Sequence, residues 1–355
     1  MFSSLPFNYI FFIVAIFGTL FSISSSHWLG IWAGLEINLI GVLPLLVYQK
    51  SISERESAVK YFVIQALGSS LLLFGSLGTY RLSFSWENLN FIAEWSFLRL
   101  IIIRVGLGLK MGVFPFHFWF PRVIAGLPWL SCLLLATWQK IAPLFLIISL
   151  FEASFTTWLF LTFCLIASGS SLLGGVGGIN QTQIRALLAY SSIGHLGWII
   201  FAGLHRSWAI GFYFGAYVLI SLCLFSALWL GDLSYSKTLA KVSFFSYPVF
   251  LVVMILLSLG GLPPLLGFIS KWLVISTGVQ SSLSIFIFLL ILGSLIRLFY
   301  YLSLFFSLFL IFLKRNQINI FKGDKRRFIL AINLGLLINI LGGLCLVASG
   351  MLWAV

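Results

Sequence analysis

Apolar positions along this chain gather into runs of roughly twenty residues, the length a helix needs to cross the hydrocarbon core of a bilayer. Short clusters of polar residues, glycine and proline part them. In lipid a helix satisfies its own backbone donors and acceptors, so helices are the spanning element to expect. The pattern predicts an all-α polytopic membrane protein of about eleven transmembrane helices, at about 5–25, 28–48, 58–80, 97–119, 128–150, 155–175, 183–203, 207–231, 245–275, 281–310 and 328–353.

Composition agrees with the pattern. Of 355 residues, 61% are apolar and 8% charged, against about a quarter charged in soluble domains. Mean hydropathy is +1.12. No separate extramembrane domain fits between the runs, so residues 1–355 read as one transmembrane domain. Residues 5–25 lack a basic leader and a small-residue cleavage site and are expected to stay as the first span. Cys132, Cys164, Cys223 and Cys345 each stand alone in apolar sequence, without metal or redox spacing, and read as small packing residues.

Charge adds an orientation. With the N-terminus inside, the inner loops carry Lys50, Arg55, Lys60, Arg122, Arg185, Lys237, Lys241, Lys314, Arg315, Lys322, Lys325, Arg326 and Arg327, and the outer loops only Arg81, Arg99 and Arg206. A bias of that size places the N-terminus inside and, with an odd number of spans, the C-terminus outside. The net charge of +13 is thereby accounted for without a nucleic-acid partner. The basic run from Lys314 to Arg327 also suits anionic lipid, although a topology determinant is the simpler reading.

The polar residues left inside the spans are the candidates for chemistry. A cation near the bilayer centre costs roughly 2.5–3.5 kcal/mol on insertion scales, so an intramembrane lysine implies a function. Lys110 precedes Pro115 in GLGLKMGVFPFHFWFP, and Lys140 precedes Pro143 in TWQKIAP. Lys271 follows Gly260, Gly261, Pro263 and Pro264 in SLGGLPPLLGFISKW. Glycine and proline interrupt the fourth and ninth spans, each the fourth of its group of five, and such paired interruptions point to an inverted repeat of two five-helix halves, about 5–150 and 155–310, followed by the helix at 328–353.

Glu36 lies midway along the second span, where a carboxylate is either neutral or partnered by a buried lysine. His195 occupies the corresponding span of the second half and suits a proton relay, because histidine exchanges protons near neutrality; a hydrogen-bonded packing role is the alternative. His117, beside Pro115, is a weaker relay candidate. Arg297 keeps its proton and reads as a fixed counter-charge or a lipid-interface residue, while Arg104 is placed to snorkel. The glycines Gly174, Gly175, Gly177 and Gly178 follow no strand and read as close helix packing or a loop. No haem, flavin, iron–sulfur or zinc signature is present, so neither a redox cofactor nor a metal is expected in this chain.

Five segments, GLEINLIGVLPLL, KMGVFPFHFWFP, TWQKIAP, NQTQIRALLAYSSIGHLGW and SLGGLPPLLGFISKW, in this order and spacing, resemble the antiporter-like membrane subunits of mitochondrial NADH:ubiquinone oxidoreductase, respiratory complex I. The likeness runs over essentially the whole chain. It implies an animal-type form lacking three N-terminal helices of the bacterial one, in the inner mitochondrial membrane, with the N-terminus on the matrix side and the C-terminus on the intermembrane-space side. It further implies an obligate hetero-oligomer with other membrane-arm subunits, amid phospholipids, in a complex whose NADH, FMN, iron–sulfur clusters and ubiquinone bind elsewhere. By the same likeness Glu36 matches the family's carboxylate, Lys110 the lysine of the first broken helix, Lys140 the central lysine and Lys271 the lysine of the second. Arg122 departs from the pattern, standing where relatives commonly carry an acid.

The function this implies is proton translocation coupled to electron transfer in other subunits, along a lateral axis of Glu36, Lys110, Lys140 and Lys271 bridged by water and His195. Two alternatives are a stand-alone cation/proton antiporter, for which one intramembrane carboxylate is a poor metal-ion ligand set, and a purely structural subunit that keeps costly buried ions without a role.

Overall fold

The computed structural model describes residues 8–47, 51–83, 95–153, 157–231, 247–263, 265–279, 284–314, 337 and 339–344. Lys50, Lys237, Lys241, Arg315, Lys322, Lys325, Arg326 and Arg327, with Pro264, Cys345 and most of the span expected at 328–353, lie outside them. The elements are α1 (Asn8–Ser24), α2 (Trp28–Leu46), α3 (Ile52–Ser83), α4 (Trp95–Met111), α5 (Trp119–Ala125), α6 (Trp129–Ala136), a 3-10 turn (Trp138–Lys140), α7 (Ile141–Ala153), α8 (Thr157–Val176), α9 (Ile184–His205), α10 (Ser207–Gly231), α11 (Tyr247–Gly260), α12 (Leu266–Val279) and α13 (Ser284–Lys314).

Six stretches among the described residues are long and apolar enough to cross a membrane: Trp28–Leu46, Ile52–Leu77, Trp129–Phe151, Ile184–His205, Ser207–Trp229 and Ser284–Phe306. The ninth expected span is two pieces, while the fourth stops at Met111 and α5 begins only at its expected end, Trp119. α4 has 17 residues, at the short end of what a span needs, α5 has 7, and α11 and α12 have 14 apiece.

The chain forms two compact units, Met1–Leu161 and Thr162–Val355. In the first, α1 and α2 pack most intimately, α3 lies against α2 and α4, and α7 against α1 and α4. Small residues allow this closeness, as they do between helices in lipid. A Cβ at Gly41 would stand 2.6 Å from the Ala15 backbone nitrogen, and one at Gly106 2.8 Å from the Gly68 carbonyl oxygen.

In the second unit α9 is the core helix, buried along nearly its whole length. α10, α12 and α13 pack on it. The glycine run ends α8, and a Cβ at Gly174 would stand 2.6 Å from the Gly194 nitrogen of α9. Close helix packing is therefore its use. The Ser171 hydroxyl also donates to the Leu290 carbonyl of α13 at 3.1 Å. Outward faces are apolar in both units, with Phe74, Trp158 and Phe288 65%, 74% and 60% exposed. Lipid suits such a surface and water does not.

Candidate functional site

In the first unit the chemistry gathers where α4 stops. Gly112 has φ +70°, a conformation side chains resist, and the amides of Gly112 and Val113 both donate to the Gly108 carbonyl, at 3.0 and 3.3 Å. A helix end leaves carbonyls unpaired. Here two are met by side chains: Gln65 of α3 donates to the Lys110 carbonyl at 3.3 Å, and the Trp119 indole of α5 to that of Leu109 at 3.1 Å. Lys110 itself is 6% exposed. Its stem lies over Gly68, where a Cβ would stand 2.9 Å from the lysine Cγ. His117, also buried, has Nδ1 3.2 Å from the Pro115 carbonyl oxygen.

Glu36 sits half-buried at the middle of α2. It acts on Lys110 electrostatically through space. No ion pair closes between Glu36 and Lys110 among the described residues.

Lys140 occupies a break that the sequence conceals. The span expected at 128–150 is α6, a 3-10 turn and α7, and Lys140 ends the turn. Pro143 is not the breaker but the third residue of α7, in the first turn where proline is tolerated. Lys140 is 2% exposed, with Nζ 4.7 Å from the centre of the Phe120 ring. Beside it, Gln139 and Asn38 exchange two hydrogen bonds of 3.0 Å, and the Tyr61 hydroxyl donates to the Gln139 oxygen at 3.2 Å.

In the second unit α11 ends at Gly260, and Gly261 has φ +85°. Its amide donates to the Leu257 and Ser258 carbonyls at 3.1 and 3.0 Å. Lys271 of α12 reaches back to this end, its ammonium donating to the carbonyls of Leu259 at 3.2 Å and Gly260 at 2.6 Å. A cation at a helix C-terminus meets the negative end of the helix dipole. The two breaks, alike in sequence, are thus capped differently: neutral side chains serve the first and the lysine serves the second.

Arg297 of α13 is 1% exposed, which removes the lipid-interface reading, and Arg104 at 8% is buried where a snorkelling residue was expected. The Arg297 Nε donates to the Gly293 carbonyl at 3.3 Å. Its guanidinium lies against Gly194, where a Cβ would stand 2.9 Å from Cζ. Its charge acts through space on Lys271. His195, the residue after Gly194, is buried with Nδ1 3.0 Å from the Tyr213 hydroxyl and its ring 5.2 Å from that of Tyr217.

The candidates therefore fall into two sets, Glu36, Lys110, Lys140 and His117 in one unit and His195, Lys271 and Arg297 in the other. Sequence reasoning passed over Gln139, Tyr61, Gln65 and Tyr213. A signal existed for the first: amides in apolar helices need partners, and Gln139 adjoins Lys140 as Asn38 adjoins the Glu36 turn.

Comparison with known proteins places this geometry in context. The sequence profile of the family described as NADH:quinone oxidoreductase/Mrp antiporter, TM matches residues 25–297. NADH-ubiquinone oxidoreductase chain 2 of Anopheles gambiae is 41% identical over 87% of this chain and 88% of its own, and that of Aedes aegypti is 39% identical over 93% and 96%. A chain of respiratory complex I from Thermus thermophilus superposes with a TM-score of 0.81 at 27% identity, over 97% of this chain and 80% of that one. A chain of the Mrp complex from Dietzia shares the fold, with a TM-score of 0.74 at 16% identity over 84% of this chain and 59% of that one.

Proposed function

The chain belongs to the family of membrane subunits shared by NADH:quinone oxidoreductases and Mrp antiporters, and from that premise we propose that it is a core membrane-arm subunit of respiratory NADH:ubiquinone oxidoreductase, taking part in proton translocation across the inner mitochondrial membrane. Relatives named as chain 2 of that enzyme support the reading over most of their length. The electron transfer that drives it runs in other subunits, where NADH, FMN, iron–sulfur clusters and ubiquinone are bound. This chain contributes no redox centre.

The observation that carries the proton-transfer role is Lys140: an ammonium-bearing side chain 2% exposed at a helix interruption, in the same unit as a second buried lysine at a glycine-broken helix end. Glu36, Lys110 and Lys140 form one station. The proton on Lys110 is coupled to the charge on Glu36, which acts on it through space, so a charge change at one group alters the proton's energy at the next. That is a coupling between sites and not a chemical step. Lys271 and His195 form the second station, with Tyr213 hydrogen-bonded to the imidazole and Arg297 as a fixed charge beside the lysine. His117 is a weaker relay. The finer architecture belongs to the same proposal: eleven spans, two inverted five-helix halves, the N-terminus on the matrix side and the C-terminus on the intermembrane-space side. The loop-charge bias and the glycine-broken helix in each unit support it.

A native gel of gently solubilised membranes, stained for NADH oxidation and probed for this chain, tests the assignment. The chain is expected to run wholly with a large NADH-oxidising band, as an obligate partner of other membrane-arm subunits. Migration alone or with a small partner would instead favour a stand-alone cation/proton antiporter, to be assayed by exchange in vesicles. Normal proton transfer after loss of the buried lysines would favour a purely structural subunit.

A further inference from the structure

An amide pair with no part in proton transfer sits beside Lys140, its Gln139 half-buried. Asn38 is 3% exposed and Tyr61 1%. An amide carries two donor hydrogens and an oxygen with two lone pairs. The Gln139 oxygen accepts from both Asn38 and Tyr61, and its nitrogen donates to the Asn38 oxygen, so three side chains from α2, α3 and the 3-10 turn fix one another's orientation. Neutral amides are poor proton carriers, which argues for a positional role.

The backbone leaves the regular helix at this point. Thr137 ends α6 at φ −115°, ψ −69°, well away from the usual helical values near −63° and −42°. Both its amide and its hydroxyl donate to the Leu133 carbonyl, at 3.0 and 2.7 Å. The Lys140 amide then donates to Thr137 at 3.3 Å in the tighter 3-10 pattern, whose hydrogen-bond geometry is poorer. A 3-10 turn rotates the following residue relative to a continuous helix, and that rotation decides where the Lys140 side chain lies. The Gln139 hydrogen bonds tie the turn to α2 two residues from Glu36, and to the α3 face that presents Gln65 and Gly68 to Lys110.

Resting on the proton-transfer reading of Lys140, we propose that Gln139, held by Asn38 and Tyr61, is a positioning residue that aims the Lys140 ammonium and couples its placement to the helix carrying Glu36. The test uses the assembled complex in sealed vesicles. Coupled NADH:ubiquinone turnover is compared with NADH oxidation by an artificial acceptor, which bypasses the membrane arm.

Gln139→Leu removes all three hydrogen bonds to Asn38 and Tyr61 and is expected to lower coupled turnover about five-fold, with acceptor reduction unchanged. The exchange of Asn38→Gln with Gln139→Asn keeps both amides and the summed side-chain length, and restores most of the loss. Full coupled turnover in Gln139→Leu, or an exchange variant no better than Gln139→Leu, overturns the inference. Where Gln139→Leu fails to assemble, Tyr61→Phe deletes one hydroxyl and carries the same test: a fall of about two-fold is expected, and unchanged turnover overturns it. Lys140→Met, measured alongside, separates the two levels. If it is impaired while Gln139→Leu is not, the positioning role falls and the reading of Lys140 stands; if it is unimpaired, the reading of Lys140 falls.

Discussion

At the scale of single residues, the site depends on two glycines that release a helix. Gly261 has φ +85°, and a Cβ there would stand 2.7 Å from the Lys271 Nζ. Gly261→Ala therefore meets two costs, a left-handed alanine at about 1–2 kcal/mol and displacement of the ammonium from the α11 carbonyls it caps. Coupled turnover is expected to fall severalfold, by more than the amount of assembled complex on a native gel. Gly211→Ala, where a Cβ meets nothing within 4 Å, should leave both unchanged. The buried lysines, Glu36 and His195 were legible in the sequence because a titratable group in an apolar run stands out. Tyr61 and Tyr213 were not, since uncharged polar residues are common in such runs, and although Gln139 called for a partner, only the fold brings Asn38 to it across 101 residues.

At the scale of elements, the breaks at Gly112 and Gly261 were legible because glycine and proline cluster there. The 3-10 turn Trp138–Lys140 was not. The sequence at 128–150 reads as one apolar helix, and Pro143 lies in the first turn of α7. Gln139 in the 3-10 turn bonds outward to Asn38 of α2, a contact no local pattern announces. The α1–α2 pair gives a second expected outcome. A Cβ at Gly34 would stand 2.6 Å from the Ser22 backbone nitrogen, and backbone cannot yield as a side-chain tip does. Gly34→Leu should separate the pair, at a cost of about 1–3 kcal/mol or more for overpacking, and lower the amount of assembled chain seen on immunoblots. Gly215→Ala, in open space, should not.

At the scale of the whole molecule, charge outside the spans and charge within them have separate uses. The loop cations are proposed to set orientation, and the proposed matrix-side N-terminus makes a direct expectation: Arg122 and Arg206, both exposed, face opposite sides of the membrane. An impermeant thiol reagent applied from the matrix side should label Arg122→Cys above the unsubstituted chain and leave Arg206→Cys at background; the reverse pattern would invert the topology. The buried ions carry the central claim, that this chain moves protons and does more than hold its neighbours apart. Each is too costly in lipid to be kept for bulk alone, and Lys140, 2% exposed at a tethered helix break, is the most enclosed of the three lysines. The most direct measurement is protons moved per NADH oxidised by the assembled complex in sealed vesicles, with and without Lys140→Met. A lower ratio or impaired coupled turnover, with acceptor-driven NADH oxidation and assembly intact, is the expected result. Turnover and proton stoichiometry both equal to the unsubstituted complex would contradict it.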